Sequence, residues 1–304
     1  MITPVNIVNF RRNYYLKQDN RKTYPSNSNV NFTGIPISEI SPVGFYMEKG
    51  LKRFRQISKI RRYKLMPELS EHAKFLQLKD KKDTFEILDI NPNNSDKYMV
   101  FFHGIGQNVT SNQEIYKTMI DKGYGVLASE YGGFGNSTGR ISRNSVKRIA
   151  GTLMKYLEGK GIKRENIGVV GFSMGSFPSL ELTSKLKNSK FLVLISPFNS
   201  FNNELPVITN GKVIKLPKVL KKLIDKFPYI ITHLDNIFKT QFNVKKTNVP
   251  VYLIHSADDR LVPVKSTKEL AKHTKNLREF KLVETGGHNI EKNKIAAFNN
   301  LKDV

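Results

Sequence analysis

The chain has 304 residues, with 50 Lys and Arg against 26 Asp and Glu, a net charge of +24, and neither Cys nor Trp. A hydrophobic fraction of 39 % with 10 % aromatic residues suffices for a sizeable core and excludes disorder throughout. The absence of Cys excludes disulfides, Cys-ligated zinc, iron–sulfur clusters and a thiol nucleophile, and the charge points to nucleic acid or an anionic membrane as partner. No run of 18 apolar residues occurs, so no spanning helix is expected. The N-terminus has no apolar block behind a charged start, and the location it implies is cytoplasmic, with attachment to a membrane surface as the one elaboration.

Residues 1–82 hold 17 basic and 6 acidic residues and are expected to form a basic, polar, partly disordered N-terminal extension. The first 40 residues carry seven Asn and show neither helical nor strand periodicity, as in a mobile tail. Eight Lys and Arg crowd between Lys49 and Lys64, where Leu51, Phe54, Ile57, Ile60 and Tyr63 recur every third residue. That spacing drifts by about 60° per step around a helix. The apolar stripe is therefore smeared, and a helix packed loosely on the body is favoured over one lying in a membrane surface.

From residue 83 to 304 short apolar runs alternate with longer helical patterns. Strands are predicted at Thr84–Ile90, Tyr98–Phe102, Gly125–Ser129, Ile167–Val170, Phe191–Ile195, Val251–His255 and Phe280–Glu284. Helices are predicted near Asn112–Lys122, Ser142–Lys160, Gly175–Lys187, Lys265–His273 and Asn289–Asn300. Such interleaving predicts a mostly parallel sheet flanked by helices on both faces. The stretch of about 199–248 is too long for a plain connection and carries an apolar, Lys-rich series around Leu220, Leu223, Ile224, Phe227, Ile230 and Ile231; a helical cap insertion is expected there.

Gly171-Phe-Ser173-Met-Gly175 follows an apolar run and precedes a helical pattern. A G-x-S-x-G in strand–turn–helix context marks a nucleophile elbow. Gly135-Asn-Ser137-Thr-Gly139 fits the same pattern but follows a Gly-rich loop rather than a strand, so Ser173 is the candidate. A serine hydroxyl needs an imidazole to take its proton, and the imidazole needs a carboxylate to fix its tautomer and stabilise its cation. Among six His, only His288 lies in a loop directly after the last predicted strand, where catalytic groups gather in such sheets. The carboxylate lies in His255-Ser-Ala-Asp258-Asp259, and the pattern leaves Asp258 and Asp259 open. The backbone N–H of Met174 and one from the loop His103-Gly-Ile-Gly-Gln-Asn108 are the candidate oxyanion donors, Ile105 being preferred and Gly104 the alternative.

Across roughly Tyr98 to Ile295 the chain resembles the α/β-hydrolases, and within them the Bem46-like and depalmitoylating serine hydrolases. The resemblance rests on His103-Gly104, Glu130-Tyr-Gly-Gly-Phe-Gly-Asn-Ser-Thr-Gly139, the elbow, Leu194-Ile-Ser-Pro197, Val249–His255, Asp259-Arg-Leu-Val-Pro263 and Gly286-Gly-His-Asn289. It implies the α/β-hydrolase fold and a Ser173, Asp259, His288 triad, the family's H-G-x-x-D-x-x-V-P pattern selecting Asp259. It also implies acyl-serine hydrolysis of an ester, thioester or amide without a cofactor. Membrane-bound relatives look anchored by an acylated, Cys-rich N-terminus, which a chain without Cys lacks. The expected partners are a small-molecule or lipid acyl substrate and, through the basic N-terminal region, an anionic membrane surface. No nucleic-acid recognition module is evident. The competing expectations are a proline-iminopeptidase-like peptidase and a non-catalytic hydrolase scaffold docked on a membrane.

Overall fold

The computed structural model describes residues 54–59, 63–199, 244–245 and 247–304. Apolar runs bounded by turn residues form β1 (Ala73–Lys79), β2 (Thr84–Ile90), β3 (Tyr98–Phe102), β4 (Gly125–Ser129), β5 (Ile167–Phe172), β6 (Phe191–Ile195), β7 (Val251–Ser256) and β8 (Leu277–Val283). They make one sheet in the order β1-β2-β4-β3-β5-β6-β7-β8. β2 runs antiparallel to both β1 and β4, and the remaining neighbours are parallel. β3 to β7 are buried at every position, because helices cover both faces.

The helices are α1 (Gln113–Asp121), α2 (Arg143–Gly159), α3 (Ser176–Leu186), α4 (Val264–Lys272) and α5 (Lys292–Asn299). α2 buries Val146, Ile149, Ala150, Leu153 and Leu157, the three-and-four spacing of one helical face. Ser142 starts it through a capping box, accepting the Ser145 N–H while the Ser145 hydroxyl accepts its own. Residues of α2, α3 and α4 share one apolar cluster with the sheet, and those of α1 and α5 share another. β4 and β5 flank β3, with α1 and α2 in the intervening connections on opposite faces. This switch in strand order opens a crevice at the C-terminal ends of β3 and β5.

Five predicted strands begin where expected and end within two residues of the expected end or at it, and the same holds for Val251–Ser256. β8 begins earlier than predicted, because Leu277 and Phe280 are only half-buried and Arg278 and Lys281 dilute the apolar run. The boundary expected at residue 82 falls inside a hairpin and is corrected. Ala73 to Lys79 pairs residue for residue with Ile90 to Thr84, so the sheet begins within the segment assigned to the extension. Alternation of exposed Lys74, Phe75, Gln77 and Lys79 with half-buried neighbours is the edge-strand pattern that its charges concealed.

Residues 54–59 are helical and are tied in rather than loosely packed. Ser58 is fully buried. Its hydroxyl accepts the Gly135 N–H at 3.1 Å and its carbonyl accepts Asn108 Nδ2 at 3.0 Å. Further along, Tyr63 N donates to Thr110 Oγ1 and Met66 N to Gln113 Oε1. The cap expected at about 199–248 lies almost wholly outside the described residues, as does most of the basic extension.

Away from the crevice, Asp89 is buried and accepts the Tyr98 hydroxyl on Oδ1 at 3.1 Å. Its Oδ2 accepts the Tyr156 hydroxyl at 2.6 Å and Lys160 Nζ at 2.8 Å. Asp89→Ala strands two hydroxyls and a half-buried ammonium at once. It is expected to destabilise the fold by about 3 kcal/mol, read as a lowered midpoint in urea with an unchanged slope.

Candidate active site

Ser173 sits between β5 and α3 with φ of +51°, a left-handed conformation uncommon for a side-chain-bearing residue. The turn is tight enough that its flanking positions require glycine. A Cβ on Gly175 would collide with the Phe102 carbonyl oxygen, and one on Gly171 with the Ser179 hydroxyl. The Ser176 hydroxyl and the Phe198 N–H both bond to the Ser173 carbonyl, at 2.7 and 3.2 Å, fixing the strained residue from its C-terminal side. Ser137, the second serine of matching motif, is buried in a turn where its hydroxyl accepts the Glu86 N–H at 2.9 Å.

The last two strands bring the other groups in. His288 Nε2 lies 2.9 Å from Ser173 Oγ, and its Nδ1 lies 2.8 Å from Asp259 Oδ2. A proton on Nδ1, donated to the carboxylate, leaves Nε2 free to accept the serine hydroxyl. The imidazole packs against Phe172, ring centroids 5.2 Å apart. Asp259 Oδ1 accepts the N–H groups of Leu261 and Val262, both at 2.9 Å.

His255 supports the carboxylate from beneath: its Nε2 is 2.9 Å from the Val262 carbonyl and 3.3 Å from Asp259 Oδ2, and its Nδ1 is 2.7 Å from Thr267 Oγ1. An Nε2–H shared between those oxygens, with Nδ1 accepting the threonine hydroxyl, satisfies all three contacts with a neutral ring. Burial pushes the Asp259 carboxyl up. Hydrogen bonds from His255 and His288, attraction to His288 and the Val262 N–H outweigh it and hold the group well below the usual carboxylate range. Asp258 points elsewhere: its Oδ1 accepts the Gly287 N–H at 2.9 Å and its Oδ2 the Gly286 N–H at 3.4 Å.

The loop after β3 faces the elbow. Gln107 Oε1 takes the Gly104 N–H at 3.0 Å, while among the described residues no acceptor bonds the Ile105 N–H. The Met174 N–H lies in the first turn after Ser173, where helical N–H groups have no partner within the helix. His103 is buried, its Nδ1 2.8 Å from the Gly104 carbonyl and its Nε2 3.1 Å from Glu130 Oε2. Glu130 Oε1 accepts the Val109 N–H at 2.9 Å, and the Tyr131 hydroxyl bonds to the His103 carbonyl. His103 thus braces the glycine loop against the Glu130–Gly139 turn.

Gln107, Thr267 and Lys294 had no motif to announce them. Lys294 carried one legible sign, its position three and four residues before Ala297 and Phe298 on the buried face of α5. No group of three or more His, Cys, Asp or Glu able to hold a metal occurs among the described residues. Nor is any helix among them long and apolar enough to cross a membrane.

Comparison with known proteins agrees with the fold. Residues 93–236 match the family model described as serine aminopeptidase, S33. The human alpha/beta hydrolase domain-containing protein 17B is 25 % identical over 191 residues, 62 % of this chain and 54 % of that protein. The zebrafish lysophosphatidylserine lipase ABHD12 is 27 % identical over 177 residues, 56 % of this chain and 45 % of that one. The chain thus spans about half the length of these curated relatives. The esterase Pf2001 of Pyrococcus furiosus superposes with a TM-score of 0.59 at 21 % identity, covering 75 % of this chain and 87 % of that one. The chain has the α/β-hydrolase fold, and the proteins it is similar to are α/β-hydrolases, ABHD proteins among them.

Proposed function

We propose that the protein hydrolyses a carboxylic ester or thioester of acyl or lipid type through an acyl-serine intermediate. Ser173 Oγ attacks the carbonyl carbon as its proton passes to His288 Nε2. Asp259 holds the Nδ1–H and stabilises the imidazolium. The N–H groups of Met174 and Ile105 receive the carbonyl oxygen as it becomes negative. Collapse of the tetrahedral species breaks the bond to the alkoxide or thiolate, which leaves with the proton from His288. Water then attacks the acyl carbon as one of its protons passes to His288, and collapse breaks the bond to Ser173 Oγ, which takes that proton back from His288 as the acid leaves.

The observation that carries this reading is the unbroken series from Asp259 through His288 to Ser173, with contacts of 2.8 and 2.9 Å. An acyl or lipid substrate is supported by the names of the relatives, an esterase and a lysophosphatidylserine lipase, and by the apolar residues between Leu220 and Ile231. The family model's description favours a second reading, removal of an N-terminal residue from a peptide. A panel of p-nitrophenyl esters and acyl-thioesters of increasing chain length, run beside aminoacyl nitroanilides, separates the two. The proposal expects turnover of the acyl series with a chain-length optimum; turnover confined to the nitroanilides would overturn it.

The basic N-terminal region is proposed to dock on an anionic membrane surface. Full-length protein is expected to co-sediment with vesicles containing phosphatidylserine more than with phosphatidylcholine alone, with a preference that fades as salt screens it. Equal binding to both would dismiss the idea.

A further inference from the structure

The loop from Glu284 to Glu291 carries His288 yet forms neither helix nor strand. Gly286 and Gly287 adopt φ of +131° and +55°, so the backbone there is intrinsically permissive. A general base must nevertheless be held to within about 0.5 Å of its working position. Asp258 takes N–H groups along one edge of the loop. On the other side Lys294, from the first turn of α5, directs Nζ to three consecutive carbonyls: Gly287 at 2.6 Å, His288 at 2.9 Å and Asn289 at 2.9 Å.

An ammonium has three donors, and all three are spent on this loop. Lys294 is fully buried. Placing a lysine charge in the interior is costly unless it is fully hydrogen-bonded, and its neighbours on the same helical face, Ala297 and Phe298, are apolar. Packing alone would be served as well by methionine or leucine. The charge is explained by what it grips.

We propose that Lys294 is a positioning residue of the active site, its ammonium gripping the carbonyls of the His288 loop while Asp258 holds the opposite edge, so that the imidazole stays between Asp259 and Ser173. This rests on the reading of Ser173, His288 and Asp259 as the triad. It carries a pH dependence. Burial pushes the Lys294 ammonium down to about 8, against an upward pull from Asp259, Asp258 and Glu291; the loop's other titratable groups are His288, whose carbonyl it holds, and Glu284 and Glu291 at its two ends.

As pH rises through that value the ammonium becomes an amine with two donors and a lone pair, and the lone pair repels the third carbonyl. The loop loosens and activity falls. The effect on global stability has the opposite sign. The folded-state value lies below that of an unfolded lysine, so between the two the unfolded chain binds more protons, and stability from this group rises with pH. Alkaline inactivation without alkaline unfolding is therefore the signature.

Two readouts test the grip independently. One is the downfield proton resonance of the His288 Nδ1–H bonded to Asp259, which needs no turnover. The other is the rate at which a fluorophosphonate probe labels Ser173. In the wild type both are expected to decline as pH rises through about 8, while the far-ultraviolet circular dichroism holds. In Lys294→Met the resonance is expected to be broadened at every pH. Labelling should be slowed about 100-fold, the scale of a misplaced reacting group, with the alkaline limb gone. A Met variant with the wild-type resonance, rate and limb would overturn the proposal. If that variant does not fold, the wild-type profile decides, and a resonance and rate flat through the same range would overturn it equally. A resonance that depends on Lys294 in a protein the probe never labels would uphold the grip and sink the hydrolase reading alone.

Discussion

Ser173→Ala is expected to lower kcat on an activated ester by about 10⁶-fold and to abolish probe labelling, while the melting temperature stays within a few degrees of wild type. Among the described residues the hydroxyl makes one side-chain hydrogen bond, to His288 Nε2. The turn is held by the Ser173 backbone carbonyl and by the close approach of Gly175 to Phe102, neither of which alanine disturbs. Alanine meets the same left-handed strain at +51°, so the backbone cost is unchanged. With Ser173 and His288 proposed to act as one unit, Ser173→Ala combined with His288→Ala should be scarcely slower than either alone. Multiplying losses would show that the two residues act separately and would refute the triad.

Asp259→Asn is expected to cost about 10⁴-fold in kcat with the fold intact. The reason lies in the two N–H groups of Leu261 and Val262 that fix Oδ1. They will hold the asparagine carbonyl oxygen there and turn its NH₂ toward His288 Nδ1. An imidazole receiving a donor at Nδ1 carries its proton on Nε2, and that nitrogen then cannot accept the serine hydroxyl. Asp258→Asn should lose far less, since an amide oxygen still serves the Gly287 N–H. Comparable losses from the two variants, measured as kcat/KM on one ester, would show that the adjacent carboxylates do not divide the work as their contacts indicate. Asp259 stays ionised well below the usual carboxylate range, so acid loss of activity is not expected to report its titration.

Much of this was legible in the residues. Strands β3 to β7 are nearly continuous apolar runs, and burial on both faces is what makes such runs conspicuous. The elbow was legible because close packing against Phe102 and Ser179 leaves room only for glycine at 171 and 175. β1 was concealed by its exposed Lys74, Gln77 and Lys79, which are the residues an edge strand carries. The choice between Asp258 and Asp259 was open on pattern and closed only by family resemblance, since both side chains leave the same turn.

Composition, alternation of apolar runs and the spacing of glycines around Ser173 determined the class of fold and the elbow that carries the proposed nucleophile, because burial and sterics act on neighbours along the chain. The tertiary structure alone decided which atoms meet across it. Two carboxylates side by side in sequence are sent to different partners, one to an imidazole and one to backbone N–H groups. A lysine six residues past His288, in a helix like any other by sequence, becomes the cation that grips the histidine's loop. Ser58, in a stretch that reads as a solvated basic helix, is drawn under the glycine loops. Hydrogen bonds between residues 29, 77 or 115 positions apart depend on direction and on sub-ångström distance. No periodicity encodes either until the sheet has set the ends of its strands side by side.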